Sequence, residues 1–334
     1  MSSITKRESL NFIKKIIPIL IGVAIIVGFI YKIGIQDIVK TITSVDLSLF
    51  CMSLLFLCCA MLLKCYRWYA LLRPLGIENI RLTSYSYFIG QITNELLPTG
   101  SGELVRIAIL KSKLSIGFMN LVPGIVLERF FDIMLLFVLS IVLATVLITP
   151  TIMIVLMMAL ICCILVFIRP GILQIIAGKI KQLNRVFSRK LLLTGIVSTK
   201  MTELSTSLRF YNSNKKMIIF NILLTIVAWI VFESLSQYIL LLGFNIHISF
   251  LSMLGIVAIS WIMGTASMLP GGLGAREVVY ALALSSQGTT FETGLSIAML
   301  YRAMVYILFA LLAIISFYLY KSCVSYRDHM PNSL

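Results

Sequence analysis

Charged side chains are scarce in this chain of 334 residues: only 12% of them are Asp, Glu, Lys or Arg, whereas 60% are hydrophobic. The mean hydropathy is +1.03. A soluble domain of this size could not bury so much apolar surface, so the composition excludes a soluble globular fold and predicts a polytopic membrane protein. The net charge of +15 fits basic side chains in cytoplasmic loops beside anionic lipid, and we expect no nucleic-acid partner.

Residues that bind metals or perform covalent catalysis are also scarce. The chain has two histidines, His247 and His329, and its seven cysteines include no Cys-x-x-Cys pair. This argues against a zinc site and a disulfide framework. The G-x-S-x-G, H-E-x-x-H and P-loop motifs are absent as well. We therefore expect no cofactor and no covalent catalysis, and an intramembrane acid–base enzyme built on paired carboxylates stays open as an alternative.

Long apolar runs, in contrast, are abundant. Crossing about 30 Å of hydrocarbon takes roughly 20 apolar residues in a helix. The candidate spans are about 16–35, 47–72, 118–148, 151–168, 217–242 and 294–320. Two further runs, about 83–110 and 249–287, are interrupted by glycine-rich motifs, which is typical of re-entrant hairpins. The prediction is an all-α polytopic membrane protein with about six full spans and two re-entrant hairpins, in a single integral membrane domain of residues 1–334.

A glycine-rich motif beside charges occurs twice. The sequence LPTGSGE of residues 97–103 returns as LPGGLGARE in residues 269–277. An arginine follows each glutamate at a similar range, since Arg129 lies 26 residues beyond Glu103 and Arg302 lies 25 residues beyond Glu277. Helix breakers beside charges are costly in a membrane, so two copies predict a duplicated functional site.

Loop charges predict the orientation of the chain. Residues 169–216 carry ten basic side chains and one acidic one, and the charges Lys64, Arg67, Arg73 and Arg81 are taken to flank the second span. The positive-inside rule then places 169–216 and both termini in the cytoplasm of a multi-pass cell-membrane protein. Each hairpin must return to the side from which it entered. Residues 16–148 and 151–320 therefore form two half-repeats of opposite orientation around a site near the midplane.

The glycines and arginines near the two motifs are the predicted substrate-binding residues. Glycines allow sharp turns that present backbone N–H groups, and each motif opens a short helix whose N-terminal dipole favours an anion. Arginines add charge-assisted hydrogen bonds that suit a phosphate. The predicted binding residues are Arg106, Arg129, Arg276, Arg302, Gly100, Gly102, Gly272 and Gly274. In an alternative interpretation the motifs are capped turns whose glutamates occupy the anion's place until a substrate arrives.

Carboxylates within the apolar runs are the predicted coupling or gating residues. Ionisable groups in a bilayer cost about 2.5–3.5 kcal/mol each on insertion scales, so they face one another or a wet cavity. Glu128 and Asp132 share a helix face, and Arg129 can pair with Asp132. The residues assigned to coupling or gating are Glu103, Glu128, Asp132 and Glu277. Structural salt bridges that tie the helices together are the alternative interpretation.

In their order along the chain, these motifs resemble those of the lysylphosphatidylglycerol synthase transmembrane-region family of flippase-like integral membrane proteins. The matching elements are Asn94, the first motif through to Arg106, the run from Glu128 to Asp132, the second motif through to Glu277, and Arg302. In large members of the family this region translocates aminoacylated phosphatidylglycerol and precedes a soluble aminoacyltransferase domain. No such domain follows here, so the resemblance implies the flippase part and not the synthesis of lysyl-lipid.

The resemblance and the residues together predict a flippase that moves an anionic phospholipid or a polyprenyl-phosphate-linked lipid between leaflets. Arg129 and Arg302 would engage the phosphate from opposite sides. Because no ATPase motif is visible, Glu128, Asp132 and Glu277 are the candidate proton carriers. Two alternatives stay open: a membrane-embedded lipid-modifying transferase, and an accessory subunit that binds a glycosyltransferase or lipid synthase through the basic loop 169–216.

Overall fold

The computed structural model describes residues 44–97, 100–114, 117–147 and 214–328, and all regular structure within these ranges is helical. The helices are α1 (Leu47–Leu72), α2 (Ile80–Leu96), α3 (Ser101–Lys113), α4 (Phe118–Leu147), α5 (Lys215–Ile226), α6 (Leu235–Gly243), α7 (Phe250–Ala266), α8 (Ala275–Ser285) and α9 (Phe291–Asp328). Short 3-10 turns lie at Arg73–Leu75 and Pro270–Gly272, and a π-helical segment, Val227–Ser234, joins α5 to α6.

Within the described ranges, three helical stretches are long and apolar enough to cross a membrane: Leu47–Leu75, Lys215–Gly243 and Phe291–Ser322. They coincide with three of the predicted spans, and α4 covers a fourth predicted run with a helix of 30 residues. The predicted spans at 16–35 and 151–168, and all but the last residues of the loop 169–216, lie outside the described residues. The total of six spans therefore stays a prediction.

Both runs with a glycine-rich motif are broken into two helices, as predicted. The first break lies between α2 and α3 and the second between α7 and α8, and the two helices of each pair pack against each other. A Cβ atom on Gly102 would lie 1.9 Å from the carbonyl oxygen of Gly90, and one on Gly272 would lie 2.8 Å from Cα of Gly264. Each hairpin therefore depends on a pair of glycines for its close packing.

The second predicted span of each half is described, and the two, α1 and the stretch Lys215–Gly243, run antiparallel to each other. The Asp46 amide at the start of α1 donates a hydrogen bond to the Gly243 carbonyl at the end of α6, over 2.9 Å. Towards the other end, the rings of Tyr66 and Phe220 lie 6.4 Å apart. Helix α1 and the stretch Lys215–Gly243 therefore point in opposite directions.

The last helix of each half packs against the hairpin of the other half. Helix α4 packs on α7, and α9 packs on α2, where the rings of Tyr85 and Tyr320 stack with their centres 5.5 Å apart. This crossed packing brings the two breaks together, so that the Pro270–Gly272 turn contacts α2.

Candidate functional site

A cavity of about 380 Å³ lies between the two halves and is bounded by both glycine-rich breaks. Its apolar wall is formed by Leu57, Met61, Ile133, Leu136, Val305 and Phe309. Its polar and aromatic wall includes Lys64, Gln91, Asn94, Glu95, Glu103, Arg129, Asp132, Trp229, Glu233, Trp261 and Arg276. A pocket of this size, in which a few polar groups converge on an apolar surface, is typical of a ligand-binding site.

Two arginines on the first-half side of the cavity are completely buried and held by carboxylates of α4. Arg67 contacts both oxygens of Asp132, at 2.6 and 2.9 Å. Arg106 donates to Glu128 at 2.8 Å and to Gln91 at 2.8 Å. Buried charges persist only when they are paired and hydrogen-bonded, so these contacts act as structural ties between helices. Asp132 thus pairs with a side chain of α1, and not with its helical neighbour.

The positions of Lys64 and Arg67 correct the interpretation of the loop charges. The loop charges predict that both flank a span, but both lie inside α1 and are buried. Lys64 pairs with Glu233 of the π segment at 3.3 Å. Because each finds a carboxylate on a neighbouring helix, neither has to reach the membrane surface. The first exposed basic residues after α1 are Arg73 and Arg81.

The two tryptophans of the cavity each face a cation. The ammonium of Lys64 lies 3.7 Å from the ring centre of Trp229, and the guanidinium of Arg276 lies 3.9 Å from that of Trp261. The two indoles meet edge to face at 5.0 Å. Trp229 and Glu233 belong to the π-helical segment, a local departure from α-helix that is frequent at functional sites.

Each glycine-rich motif carries a glutamate that pairs with the arginine following it in the sequence. Glu103 accepts a hydrogen bond from Arg129, and Glu277 forms an ion pair with Nε of Arg302 at 2.8 Å. Arg302 also donates to the carbonyl oxygen of Gly271. The two pairs differ in accessibility, since the side chain of Arg129 is 39% exposed and that of Arg302 only 8%.

Side-chain oxygens of the protein accept hydrogen bonds from backbone amides at the starts of α3 and α8. Asn94 Oδ1 accepts from the amide of Gly102 at 2.7 Å, and Glu277 Oε2 accepts from the amide of Gly274 at 2.7 Å. The side-chain amide of Asn94 also donates to Glu103, at 3.1 Å. Helix N-termini favour negative charge. At α8 a glutamate holds the place that the alternative interpretation gives it, whereas at α3 an asparagine accepts from the amide.

The structure divides the predicted site residues into two groups. Those that line the cavity are Gly100, Glu103, Arg129, Asp132, Gly272 and Arg276. Those that do not line it are Gly102, Arg106, Glu128, Gly274, Glu277 and Arg302. Gly100, Gly272 and Gly274 take the positive φ angles expected of turn glycines, at 94°, 68° and 81°.

Sequence reasoning assigned no role to several cavity residues. Glu95 and Glu233 stand out in the sequence only as charges in apolar runs, and Lys64 was taken for a loop charge. The rarity of tryptophan was the one sequence signal for Trp229 and Trp261, because the chain has only three tryptophans. Two of the three line this cavity. Their pairing with cations depends on the fold and could not be inferred from spacing.

Comparison with known proteins agrees with the resemblance read from the motifs. The profile of the family described as the lysylphosphatidylglycerol synthase TM region matches residues 16–313. Over 316 residues the chain is 23% identical to a UPF0104 membrane protein of Pyrococcus horikoshii, which covers 86% of this chain and 92% of the relative. Over 119 residues it is 31% identical to phosphatidylglycerol lysyltransferase of Staphylococcus epidermidis, which covers 35% of this chain but 14% of that enzyme.

Proposed function

Because the chain belongs to the lysylphosphatidylglycerol synthase transmembrane-region family, we propose that it is a flippase-like transporter, which moves a lipid with an anionic headgroup between the leaflets of the cell membrane. The lipid is a phospholipid or a polyprenyl-phosphate-linked lipid. The observation that carries the proposal is the cavity between the two halves, to which both glycine-rich breaks contribute.

The chemistry of the cavity favours an anionic headgroup. Arg129 and Arg276 line it and supply guanidinium groups, which bind phosphate oxygens through charge-assisted hydrogen bonds. Arg129 is the more accessible of the two, with a side-chain exposure of 39% against 12%. The headgroup enters by displacing Glu103 from Arg129, so that one anion replaces another and the cation stays paired.

The difference between the two glutamate–arginine pairs supports alternating access. The pair in the first half is partly open, whereas that in the second half is buried. In the proposed cycle the opposite conformation exchanges these roles, and the headgroup passes from Arg129 to Arg302. Support for inverted half-repeats comes from the antiparallel packing of α1 with α5 and α6, since inverted repeats place equivalent helices in opposite directions. The broken helices then form re-entrant hairpins and both termini are cytoplasmic, as the loop charges predict.

Flipping by purified protein in liposomes tests the proposal. Fluorescent phosphatidylglycerol is incorporated, and its arrival in the outer leaflet is followed by dithionite quenching. Loss of a charge-assisted hydrogen bond costs about 1.5–3 kcal/mol, so Arg129→Ala should weaken the apparent affinity for the lipid about 10- to 100-fold. Arg73→Ala, which removes an exposed arginine at the end of α1, is the matched control and should behave as wild type.

The opposite change tests the role of the internal glutamate. Glu103→Gln removes the competing anion and should raise the apparent affinity for phosphatidylglycerol while Arg129 stays in place. Equal flipping by wild type and Arg129→Ala would refute the headgroup role, and reduced affinity in Glu103→Gln would refute the displacement step.

The name of one relative supports a second candidate, a lipid-modifying transferase, because the chain shares a segment with phosphatidylglycerol lysyltransferase. The same preparation, given phosphatidylglycerol and an aminoacyl donor, distinguishes the two. An aminoacylated lipid product favours the transferase, whereas flipping without product excludes it. Loss of a co-purifying glycosyltransferase or lipid synthase on deletion of residues 169–216, with flipping retained, would support the accessory role.

A further inference from the structure

The buried cations and carboxylates around the cavity are equal in number, but one carboxylate has no cation as its partner. The structure describes the burial of most charged side chains. All of those that are at least half-buried lie in this region. Six are cationic: Lys64, Arg67, Arg106, Arg129, Arg276 and Arg302. Six are carboxylates: Glu95, Glu103, Glu128, Asp132, Glu233 and Glu277. With all twelve ionised, the site has no net charge.

Five of the six carboxylates are held by a cation at hydrogen-bonding distance. The cations that hold them are Arg129 for Glu103, Arg106 for Glu128, Arg67 for Asp132, Lys64 for Glu233 and Arg302 for Glu277. Glu95 is the exception and forms no ion pair with a described residue. Its Oε2 atom has no accessible surface and no hydrogen-bond partner, although the residue lines the cavity.

Glu95 lies at the contact between the two hairpins. It is the penultimate residue of α2, and a Cβ atom on Gly271, in the turn of the second hairpin, would lie 2.5 Å from its Oε2. The carbonyl groups at a helix C-terminus disfavour a negative charge there. The titratable groups that face Glu95 from neighbouring elements are Arg276 and Glu277 of α8, Arg302 and Tyr306 of α9, and Glu233 of the π segment. Both arginines in this set already have a carboxylate of their own.

We propose that Glu95 is the coupling site of the transporter, which binds one proton and carries it across the membrane together with one anionic headgroup. This inference rests on the proposed function. A buried carboxyl group without a partner is far less costly as the neutral acid. A proton taken from the open side binds Oε2 and gives the site a net charge of +1, and a phosphodiester monoanion restores neutrality. When the site opens to the other side, the proton and the anion leave together and the balanced, empty site returns.

The carboxylates that the sequence suggests as proton carriers are poorly placed for this task. Asp132 and Glu128 are held by fully buried arginines, and Glu277 is held by Arg302 and by the amide of Gly274. Protonating any of them would leave a buried cation or a helix N-terminus without its counter-charge. Glu95 can bind and release a proton without breaking an ion pair.

Driven transport in liposomes tests the stoichiometry. For one proton per monoanion, a pH difference of one unit should change the distribution of fluorescent phosphatidylglycerol about tenfold, and a potassium diffusion potential should have no effect. An uncoupled monoanion would instead respond about tenfold to ~59 mV. Glu95→Gln should lose the response to pH and respond to voltage, whereas Glu95→Asp and the exposed-site control Glu292→Gln should keep the pH response. The proposal would be overturned if the lipid distribution responded to voltage in the wild type, or to the pH difference in Glu95→Gln.

Chemical labelling tests the proton site independently of transport. Dicyclohexylcarbodiimide reacts with protonated carboxyl groups in apolar surroundings, and mass spectrometry locates the modified residue. Labelling of Glu95 should fall as pH rises, and phosphatidylglycerol should shift this fall to higher pH, because a bound anion favours the neutral carboxyl group. If no lipid moves but Glu95 is labelled in this way, the proposed function fails and the proton site stands. If lipid moves but Glu95 is not labelled at any pH at which the protein stays folded, the coupling site is wrong.

Discussion

Glu277 and Arg302 form an ion pair at 2.8 Å that reproduces, in the second half of the chain, the pair between Glu103 and Arg129 in the first. The two glutamates follow the same kind of glycine-rich break, and the two arginines follow at nearly the same distance in the sequence. A duplicated motif is therefore also a duplicated interaction. The two pairs differ in accessibility, since the side chain of Arg129 is 39% exposed and that of Arg302 is 8% exposed.

Replacement of Arg67 should destabilise the protein strongly. Its side chain is only 1% exposed and holds Asp132, Glu128 and Thr225. Removing one partner of a buried pair typically costs about 3–5 kcal/mol, because the other charge stays buried and unpaired. Arg67→Ala should therefore lower the midpoint of thermal unfolding in detergent by several degrees. Arg73→Ala, at an exposed position directly after α1, should leave the midpoint unchanged, and equal midpoints for the two variants would contradict the role of Arg67.

Addition of one methyl group at Gly102 should push α2 and α3 of the first hairpin apart. The new Cβ would lie 1.9 Å from the carbonyl oxygen of Gly90, and overpacking of this kind typically costs 1–3 kcal/mol or more. Gly102→Ala should show faster proteolysis and lower yield of monodisperse protein. Gly117→Ala is the control, since the nearest atom to its Cβ, Nδ2 of Asn120, lies at 3.8 Å. A Gly102→Ala variant as resistant to proteolysis as wild type would show that α2 and α3 are not closely packed.

The antiparallel contact between the halves can be tested by cross-linking. Ser53 and Ser236 each donate a hydrogen bond to the other's carbonyl oxygen at 2.8 Å, and their hydroxyl oxygens are 3.2 Å apart. In a cysteine-free background, Ser53→Cys with Ser236→Cys should form a disulfide in high yield, because the ends of the two side chains lie only 3.2 Å apart and a disulfide needs side chains in direct contact. Ser48→Cys with Ser236→Cys moves one thiol about 7.5 Å along α1 and should not cross-link. Similar yields for both pairs would indicate a different helix arrangement.

Lipid binding should change the intrinsic fluorescence of the protein. All three tryptophans lie at or near the site: Trp229 and Trp261 line the cavity, and Trp68 lies 5.4 Å from the guanidinium of Arg106. A headgroup that enters the cavity alters the contacts of Trp229 and Trp261 with their cations. Titration with short-chain phosphatidylglycerol should therefore give a saturable change that Trp68→Phe retains and Trp229→Phe reduces. If the fluorescence change came mainly from Trp68, the lipid would bind outside the cavity lined by Trp229 and Trp261.

The apolar runs and their breaks could be located from the sequence because both signals are local. A run of apolar residues near 47–72 becomes α1 almost residue for residue, and the helix expected near Ala275 begins there. The spacing of Glu103 to Arg129 and of Glu277 to Arg302 also pointed to matched roles. In the structure each of the two arginines holds a glutamate of its own motif, and their contact with a phosphate stays a prediction.

Composition, helix positions and the duplicated motif were thus determined by the sequence itself, since hydropathy and backbone flexibility act over short stretches of chain. The choice of partners was decided only in the tertiary structure. Lys64 finds Glu233 across 169 residues and Arg67 finds Asp132 across 65, because the crossed packing of the halves brings their helices together. The same packing leaves Glu95, at the contact of the hairpins, without an ion pair to any residue that the structure describes. No sequence pattern reveals this, because the absence of a partner depends on the positions of all the surrounding helices.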